Sequence, residues 1–398
     1  MSAERLRAWW WTRTGLDGSL AGATSPQVLE RCGWARSVGG VGPYLTLFAR
    51  AGTSRADADA AVARLDIHEL PSARGCTYVL PARDFALGLR VAEGAAAAEE
   101  RTAAKLGVDD AEIARLSDAV LAALGARPLE PDAIRAAVGD AARSLGEAGK
   151  KKGLATTLPL AFGRLQERGA IRRVPVNGRL DQQRYAYARW DANPLAREAS
   201  SREEAFGVLA RRVFEWAGPA TMKELQFFTG LGVKAAKAAV ESLGLVPIAP
   251  GSERLLLPED LEAFHALAPL VEPSYALVGS LDPIAATRRD AQSLLDETDR
   301  AAAAPVVEAA GSAGMFADLP SHAILDRGRL IGFWEFDPDA GALVWGTFAG
   351  GHAPSLGDAV ARTEAFVREQ LGDARSFSLD SARSRAPRIA AIRGLARG

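Results

Sequence analysis

The sequence predicts an α+β protein made of tandem helix-then-hairpin units and closed by a β-rich C-terminal region. Three observations predict it. A pattern of short helices followed by a two-strand hairpin recurs along the first two thirds of the chain, which is a repeat signal. One of the hairpins turns at Asn177-Gly178, a pair that favours the tight turn joining antiparallel strands. From about Glu272 the texture changes to longer apolar strands.

The elements follow in order. Residues 4–14 (ERLRAWWWTRT) read as a helix, Thr24-Ser25-Pro26 starts a second, and Pro43 opens a third, PYLTLFARAG. Residues 70–81 (LPSARGCTYVLP) read as a hairpin turning at Arg74-Gly75. Three short helices and a hairpin outline a winged helix over 1–82. Residues 83–128 are Ala-rich and helical, a two-helix connector with Asp109 or Asp110 as a cap. The second unit, 129–190, opens at Pro131-Asp132 and crosses a loop of Gly149 and three lysines. It then runs through LATTLPLAFGRLQERG, stopped at Gly169, into strands at 171–176 and 184–187. In the third unit, 200–258, the helix EEAFGVLARRVFEWAG precedes GPATMKELQFFTGLGVKAAKAAVESLG, which has helix-turn-helix spacing. Short strands at 245–248 and 254–257 end that unit. The strand-like segments SYALVGSLDPI, HAILDRGRLIGFWEFD and ALVWGTF, with a helix from Pro354-Ser355 to about Leu371, make 272–398 an α+β or barrel-like domain with a basic tail.

At 398 residues the chain exceeds what a single core holds, and 48% apolar with 24% charged residues is ordinary for a soluble protein. No stretch of 18 uninterrupted apolar residues predicts a membrane span, and MSAERLRAWWW places charges where an export signal needs an apolar run. Cys32 and Cys76 suit neither a disulfide framework nor a metal site, so the expected compartment is the cytoplasm. The net charge of −1 hides a segregation. Residues 150–189 hold ten Lys/Arg against Glu167 and Asp181, a local +8; 383–398 hold five Arg and no acid, +5; the remainder carries −14. Segregated basic charge on tandem winged helices predicts a binding face for double-stranded DNA, damaged or intact, with the protein nucleoid-associated when bound. The alternative is a solvated basic surface.

The cations expected on DNA are Arg74 at the first hairpin turn and Lys150, Lys151, Lys152, Arg164, Arg168, Arg172, Arg173, Arg179 and Arg184 around the second hairpin. Arg179, at the tip, is placed for a minor groove. Trp9, Trp10 and Trp11 fan out by about 100° each on a helix, so one of them is a candidate for stacking on an unpaired base, against core packing as the alternative. The loop at 37–42 (SVGGVG) offers amides to a phosphate or is a plain tight turn; with no following Lys-Ser/Thr it is no nucleotide-binding loop. The four histidines are scattered, and neither a metal nor any other cofactor is expected.

Four segments in order give the chain a resemblance. PYLTLFARAG from Pro43, ARGCTYVLPARD from Ala73, SLDPI from Ser280 and ILDRGRLIGFWEFD from Ile324 are similar to motifs of the winged-helix DNA glycosylases of the AlkZ/YcaQ type. That resemblance implies tandem winged helices around a DNA-binding concavity, and excision of alkylated or crosslinked purines. It also implies a Gln-x-Gln or Gln-x-Asp pair shortly before the PYL helix. Here the pair departs: one register puts Cys32 and Trp34 there, the other Arg36 and Val38. None offers the carboxylate or aligned amide oxygen that a developing oxocarbenium ion needs. Asp17, Glu69 and Asp84, which flank the matching segments, are the candidate substitutes. Against that role, Asp17 sits in a turn and Asp84 is placed to cap a helix. Two readings stay open: a monofunctional glycosylase with a displaced catalytic group, and a catalytically silent DNA- or lesion-binding protein or regulator.

Overall fold

The computed structural model describes residues 2–311 and 316–395; Met1, 312–315 and 396–398, the last including Arg397 of the basic tail, lie outside the described residues. Helix α1 (Ala3–Arg13) is followed by α2 (Ser25–Cys32), strand β1 (Ala35–Arg36), α3 (Gly42–Ala51), α4 (Arg55–Ala63), β2 (Ile67–Pro71) and β3 (Thr77–Pro81). The three strands form an antiparallel sheet in the order β1-β3-β2. The sequence reading missed α4, whose apolar face is almost all alanine, and the two-residue β1. The connector holds three helices rather than two, α5 (Phe85–Ala92), α6 (Ala97–Ala104) and α7 (Asp110–Ala123). Asp109 caps the last by accepting from the Glu112 amide at 2.7 Å.

Next come α8 (Pro131–Val138), α9 (Gly146–Lys150), α10 (Leu158–Glu167) and the hairpin of β4 (Ile171–Pro175) with β5 (Tyr185–Arg189). Gly149 and Lys150 thus end a short helix instead of lying in a loop. The helix-turn-helix pattern is met by α12 (Met222–Thr229) and α13 (Val233–Val240), which follow α11 (Arg202–Ala217). Thr221 and Glu224 form the capping box of α12, and Gly230 ends it in the left-handed conformation, as the sequence chemistry requires. A short hairpin, β6 (Val246–Pro247) and β7 (Leu255–Leu256), leads to α14 (Leu261–Ala266).

The C-terminal part contains β8 (Tyr275–Val278), α15 (Pro283–Ala286), α16 (Arg300–Ala309), β9 (His322–Asp326), β10 (Arg329–Asp337), β11 (Ala342–Thr347), α17 (Ser355–Phe366) and α18 (Ala382–Arg393). Among the described residues its sheet is an open antiparallel meander, β11-β10-β9-β8, not a closed barrel. Alternate side chains enter two cores. Ile331, Trp334 and Phe336 pack with Val360 and Phe366 of α17, and Leu330, Phe333 and Val344 pack with Ile389 and Ile392 of α18. Both faces are covered, which is why these strands read as nearly continuous apolar runs. At Gly332 a Cβ would lie 2.2 Å from the Gly346 carbonyl oxygen, so the strand crossing there demands glycine.

Two expectations fail for a shared reason, because the folded chain brings distant partners to the residues concerned. The tryptophans of α1 are buried, Trp10 and Trp11 completely, and all three enter one core with the C-terminal sheet. Trp9 and Trp10 donate their indole N–H to the carbonyls of Gly218 (2.9 Å) and Ala217 (3.1 Å). Arg288 and Arg254 lie over the Trp10 ring at 3.6 and 5.0 Å. No base can stack there. A helix wedged between layers buries adjacent residues that a surface helix would spread around its circumference. Three of the four described arginines of the basic tail are likewise committed: Arg385 pairs with Asp373, Arg388 with Glu335 and Arg393 with Asp337, while Arg383 is exposed.

Candidate functional site

A cavity of about 310 Å³ opens where β1, β3, α12 and the 280–289 segment meet. Arg36 and Tyr78 are directly paired across β1 and β3, so they leave the same face of the sheet, and the Arg36 guanidinium lies 5.3 Å from the Tyr78 ring. Burial works against the Arg36 charge, but Cys76 and Tyr78 beside it hold its pKa above the ordinary value. Trp34 and Phe228 form the inner wall, their rings 6.3 Å apart. Arg74 and Arg289 lie over Phe227 at 4.2 and 4.8 Å, and Arg74 also donates to the Phe227 carbonyl at 3.0 Å. Both adopt the left-handed backbone, φ 59° and 54°. For an L-residue that conformation costs roughly 1–2 kcal/mol. Ser280 reaches Ser376 at 2.7 Å on the far wall, and Phe377 stands half-exposed at the mouth.

This geometry selects one of the two motif registers. Cys32 faces the core at 1% exposure, and burial pushes its thiol up to about 11. Arg36 and Val38 both line the cavity. Neither residue supplies a carboxylate or amide. The one acid among the described lining residues is Asp318, which accepts from Arg289 at 3.0 Å.

The three substitute carboxylates are engaged elsewhere. Glu69 sits in the row with Val79 and Ala35, on the sheet face opposite Arg36 and Tyr78. There it accepts from the Tyr185 hydroxyl at 2.9 Å and lies 3.7 Å from Arg173; burial raises its pKa against the pull of both. Asp84 does not cap a helix with its side chain but accepts the Trp34 indole N–H at 2.9 Å in a buried position. Asp17 is exposed and accepts from Ser19 in a turn, beside a different cavity of about 600 Å³. The glycine loop is closed over as well. The Val41 amide donates to the Arg375 carbonyl, and a Cβ on Gly40 would lie 2.2 Å from the Ser376 carbonyl oxygen.

Two of the resemblance motifs meet in the interior. Arg50, from PYLTLFAR, and Asp282, from SLDPI, form a two-point ion pair at 2.7 and 2.8 Å with both side chains wholly buried. Asp282 also caps α15 through the Ile284 amide at 3.0 Å. The pair therefore anchors the segment that forms one wall of the cavity.

The basic second unit is less free than its sequence charge. Of the ten cations between residues 150 and 189, five are ion-paired: Lys150 with Glu147, Arg164 with Glu100 and Asp110, Arg173 with Glu69, Arg179 with Asp181, and Arg184 with Glu130. Arg164 is buried, which removes it as a DNA contact. Arg179 also donates to the Leu371 carbonyl at 3.0 Å, so it ties the hairpin to the C-terminal part instead of reaching a groove. Arg172 packs over Trp190, and burial lowers its pKa. Lys151, Lys152 and Arg168 are exposed and make no ion pair among the described residues. Lys223, Lys234 and Lys237 on α12 and α13 are also exposed and were not singled out from the sequence, although Val-Lys-Ala-Ala-Lys marks the last two at one-turn spacing. A larger cavity of about 540 Å³ beside the connector is lined by Glu99, Asp132 and Glu167 against Arg135 and Arg173, so it carries no excess of positive charge for a polyanion.

Among the described residues no group of three or more His, Cys, Asp or Glu could hold a metal ion, and no helix is long and apolar enough to cross a membrane. No curated protein matches the chain. A solved structure, the Streptomyces sahachiroi DNA glycosylase AlkZ, shares its fold with a TM-score of 0.68 at 17% identity, over 95% of this chain and 98% of that one. Residues 41–371 match the family described as DNA glycosylase AlkZ-like. The resemblance read from the four motifs is thus borne out across most of the chain, and the protein belongs to the AlkZ-like DNA glycosylase family.

Proposed function

We propose that this chain binds damaged duplex DNA and does not cleave it through the family's usual motif. One observation carries the reading: three of the four motif positions, Trp34, Arg36 and Val38, line the cavity, and none supplies a carboxylate or amide. An arginine there opposes the positive charge that builds on the sugar as a base departs, and a valine contributes no dipole. Fold alone does not restore the chemistry. The units at 129–190 and 200–258 supply the DNA face, with Lys151, Lys152, Arg168, Lys234 and Lys237 as phosphate contacts in the cytoplasm.

The test is single-turnover incubation with an N7-methylguanine duplex followed by alkaline strand cleavage. The natural chain should give no cleavage above spontaneous depurination. The double variant Arg36→Gln with Val38→Gln should gain activity. Cleavage by the natural chain that disappears on changing Arg36 or Val38 alone would overturn the reading, whereas cleavage that disappears on Asp84→Asn or Glu69→Gln would place the chemistry on a displaced carboxylate.

Binding itself should be electrostatic. For about five neutralised phosphates, log K should fall with log salt at a slope of roughly −4 to −5. Changing Lys151, Lys152 and Arg168 together to alanine should reduce that slope by about 2–3. Exposed residues of this kind seldom cost more than about 0.5 kcal/mol each in stability, so the variant should stay folded. Fluorescence anisotropy across a salt series measures both, and a slope near zero in the natural chain would mean that DNA is not a partner.

A further inference from the structure

The cavity beside Val38 is lined by three arginines, Arg36, Arg74 and Arg289, against one aspartate, Asp318, a net of +2. Two features indicate that this charge is arranged. First, only four non-glycine residues among those described have positive φ, and Arg74 and Arg289 are two of them. Strained backbones persist where the surroundings over-determine them, and such positions cluster at ligand sites. Both bring their guanidinium groups to one element of the wall, the Phe227 ring, within 5 Å of its centroid.

Second, two of the aromatic rings that line the cavity, Tyr78 and Phe227, carry arginines. Arg36 covers Tyr78, while Arg74 and Arg289 share Phe227. A guanidinium stacked on an aromatic ring keeps its in-plane N–H groups available to donate. Arg74 gives one N–H to the Phe227 carbonyl and Arg289 gives its Nε–H to Asp318, which leaves the other guanidinium N–H groups of the three lining arginines as donors. Such donors match the oxygens of a phosphate, which guanidinium binds in a planar, two-point fashion. A purine alkylated at N7 carries a full positive charge and would enter a wall of the same sign.

We propose that this cavity is a phosphate-binding site that takes a phosphate displaced from the regular duplex and discriminates against cationic alkylpurines. The proposal rests on the DNA-binding reading above and replaces base capture with capture of a backbone or terminal phosphate. An internal phosphate at a collapsed abasic site and a terminal 5′-phosphate at a nick have the same chemistry. They differ in how much strand must move to deliver the group.

The experiment measures affinity of the full chain by fluorescence anisotropy for five otherwise identical duplexes. These are unmodified, tetrahydrofuran-abasic, nicked with a 5′-phosphate, nicked with a 5′-hydroxyl, and bearing a hydrolysis-resistant 2′-fluoro N7-methylguanosine. Binding to the abasic or the 5′-phosphate duplex should be at least 10-fold tighter than to the unmodified one, with no gain for the N7-methyl duplex. A 5′-phosphate preference over 5′-hydroxyl assigns the terminal group; an abasic preference without it assigns the internal one. In Arg289→Gln, an exposed substitution, and in Arg74→Gln, the ratio of modified to unmodified affinity should fall toward one. Equal affinity for all five duplexes, tighter binding of the N7-methyl duplex, or an unchanged ratio in both variants would overturn the proposal. Loss of salt-dependent binding to the unmodified duplex would instead sink the DNA-binding reading.

Discussion

Replacing Asp282 by alanine is expected to cost about 3–5 kcal/mol of unfolding free energy, because it strands the Arg50 guanidinium in a fully buried site. In the natural protein every part of this pair is satisfied. Arg50 donates to both Asp282 oxygens and to the carbonyls of Thr14 (2.7 Å) and Thr46 (3.1 Å). The charge on Asp282 offsets burial so well that the Arg50 pKa lies above its ordinary value. The size of the loss comes from the uncompensated charge, not from the worth of the pair. Exchanging both residues for apolar ones, Arg50→Met with Asp282→Leu, should therefore cost less than the sum of the two alanine variants. Urea unfolding of the four proteins measures this. A loss below about 1 kcal/mol for Asp282→Ala, the size typical of exposed pairs, would mean that the site opens to solvent. Because Asp282 also starts α15, the Asp282→Ala variant should loosen the cavity wall formed by 280–289 before the rest of the molecule unfolds.

Acid should destabilise the protein through His68, and His68→Leu should remove that part of the effect. His68 is 1% exposed, neither ring nitrogen meets a hydrogen-bond partner, and the edges of Phe85 and Trp190 surround it. Burial first, and the nearby Arg172 second, push its pKa down to about 3. In the unfolded chain the imidazole titrates at about 6.5. Between those values the unfolded state binds a proton that the folded state refuses. Stability from this group is therefore fully present above about pH 6.5 and is lost as pH falls toward 3, at up to about 1.4 kcal/mol per pH unit. By pH 4.5 the loss should reach about 2–3 kcal/mol. His68→Leu should flatten the stability profile over that window by about one proton while leaving neutral-pH stability unchanged or improved, since it removes two unsatisfied buried polar atoms. Urea midpoints measured across pH 4–7 for both proteins decide it, and parallel profiles would show that His68 has a hidden partner.

How far the fold could be read in advance depended on the range of the interactions involved. The helix start at Asp109 or Asp110 and the glycine-containing turn between α12 and α13 are local chemistry and were legible. Gly178 was legible as a turn residue and has φ 74°, but the strands it was read to join are separated by a loop from Val176 to Arg184 and not by a two-residue turn. Strand β1 was not legible, because two residues become a strand only when β3 lies beside them. The site was half legible. The absence of a catalytic pair before Pro43 is a property of residue types, but the position of the cavity depends on Phe227, Ser280 and Arg289, which are far from Arg36 in the chain.

By itself the sequence determined the order of helices and hairpins, the four family motifs and the loss of the Gln-x-Gln pair. Only the tertiary structure decided which charges remain free and which side chains reach a cavity. Arg164 is neutralised by Glu100 and Arg388 by Glu335, partners 64 and 53 residues away. Trp10 is covered by Arg288, and Glu69 is turned to the opposite face of the sheet from Arg36. The physical reason is that Coulomb energy and burial depend on distance in space, whereas caps, turns and periodicity depend on distance along the chain.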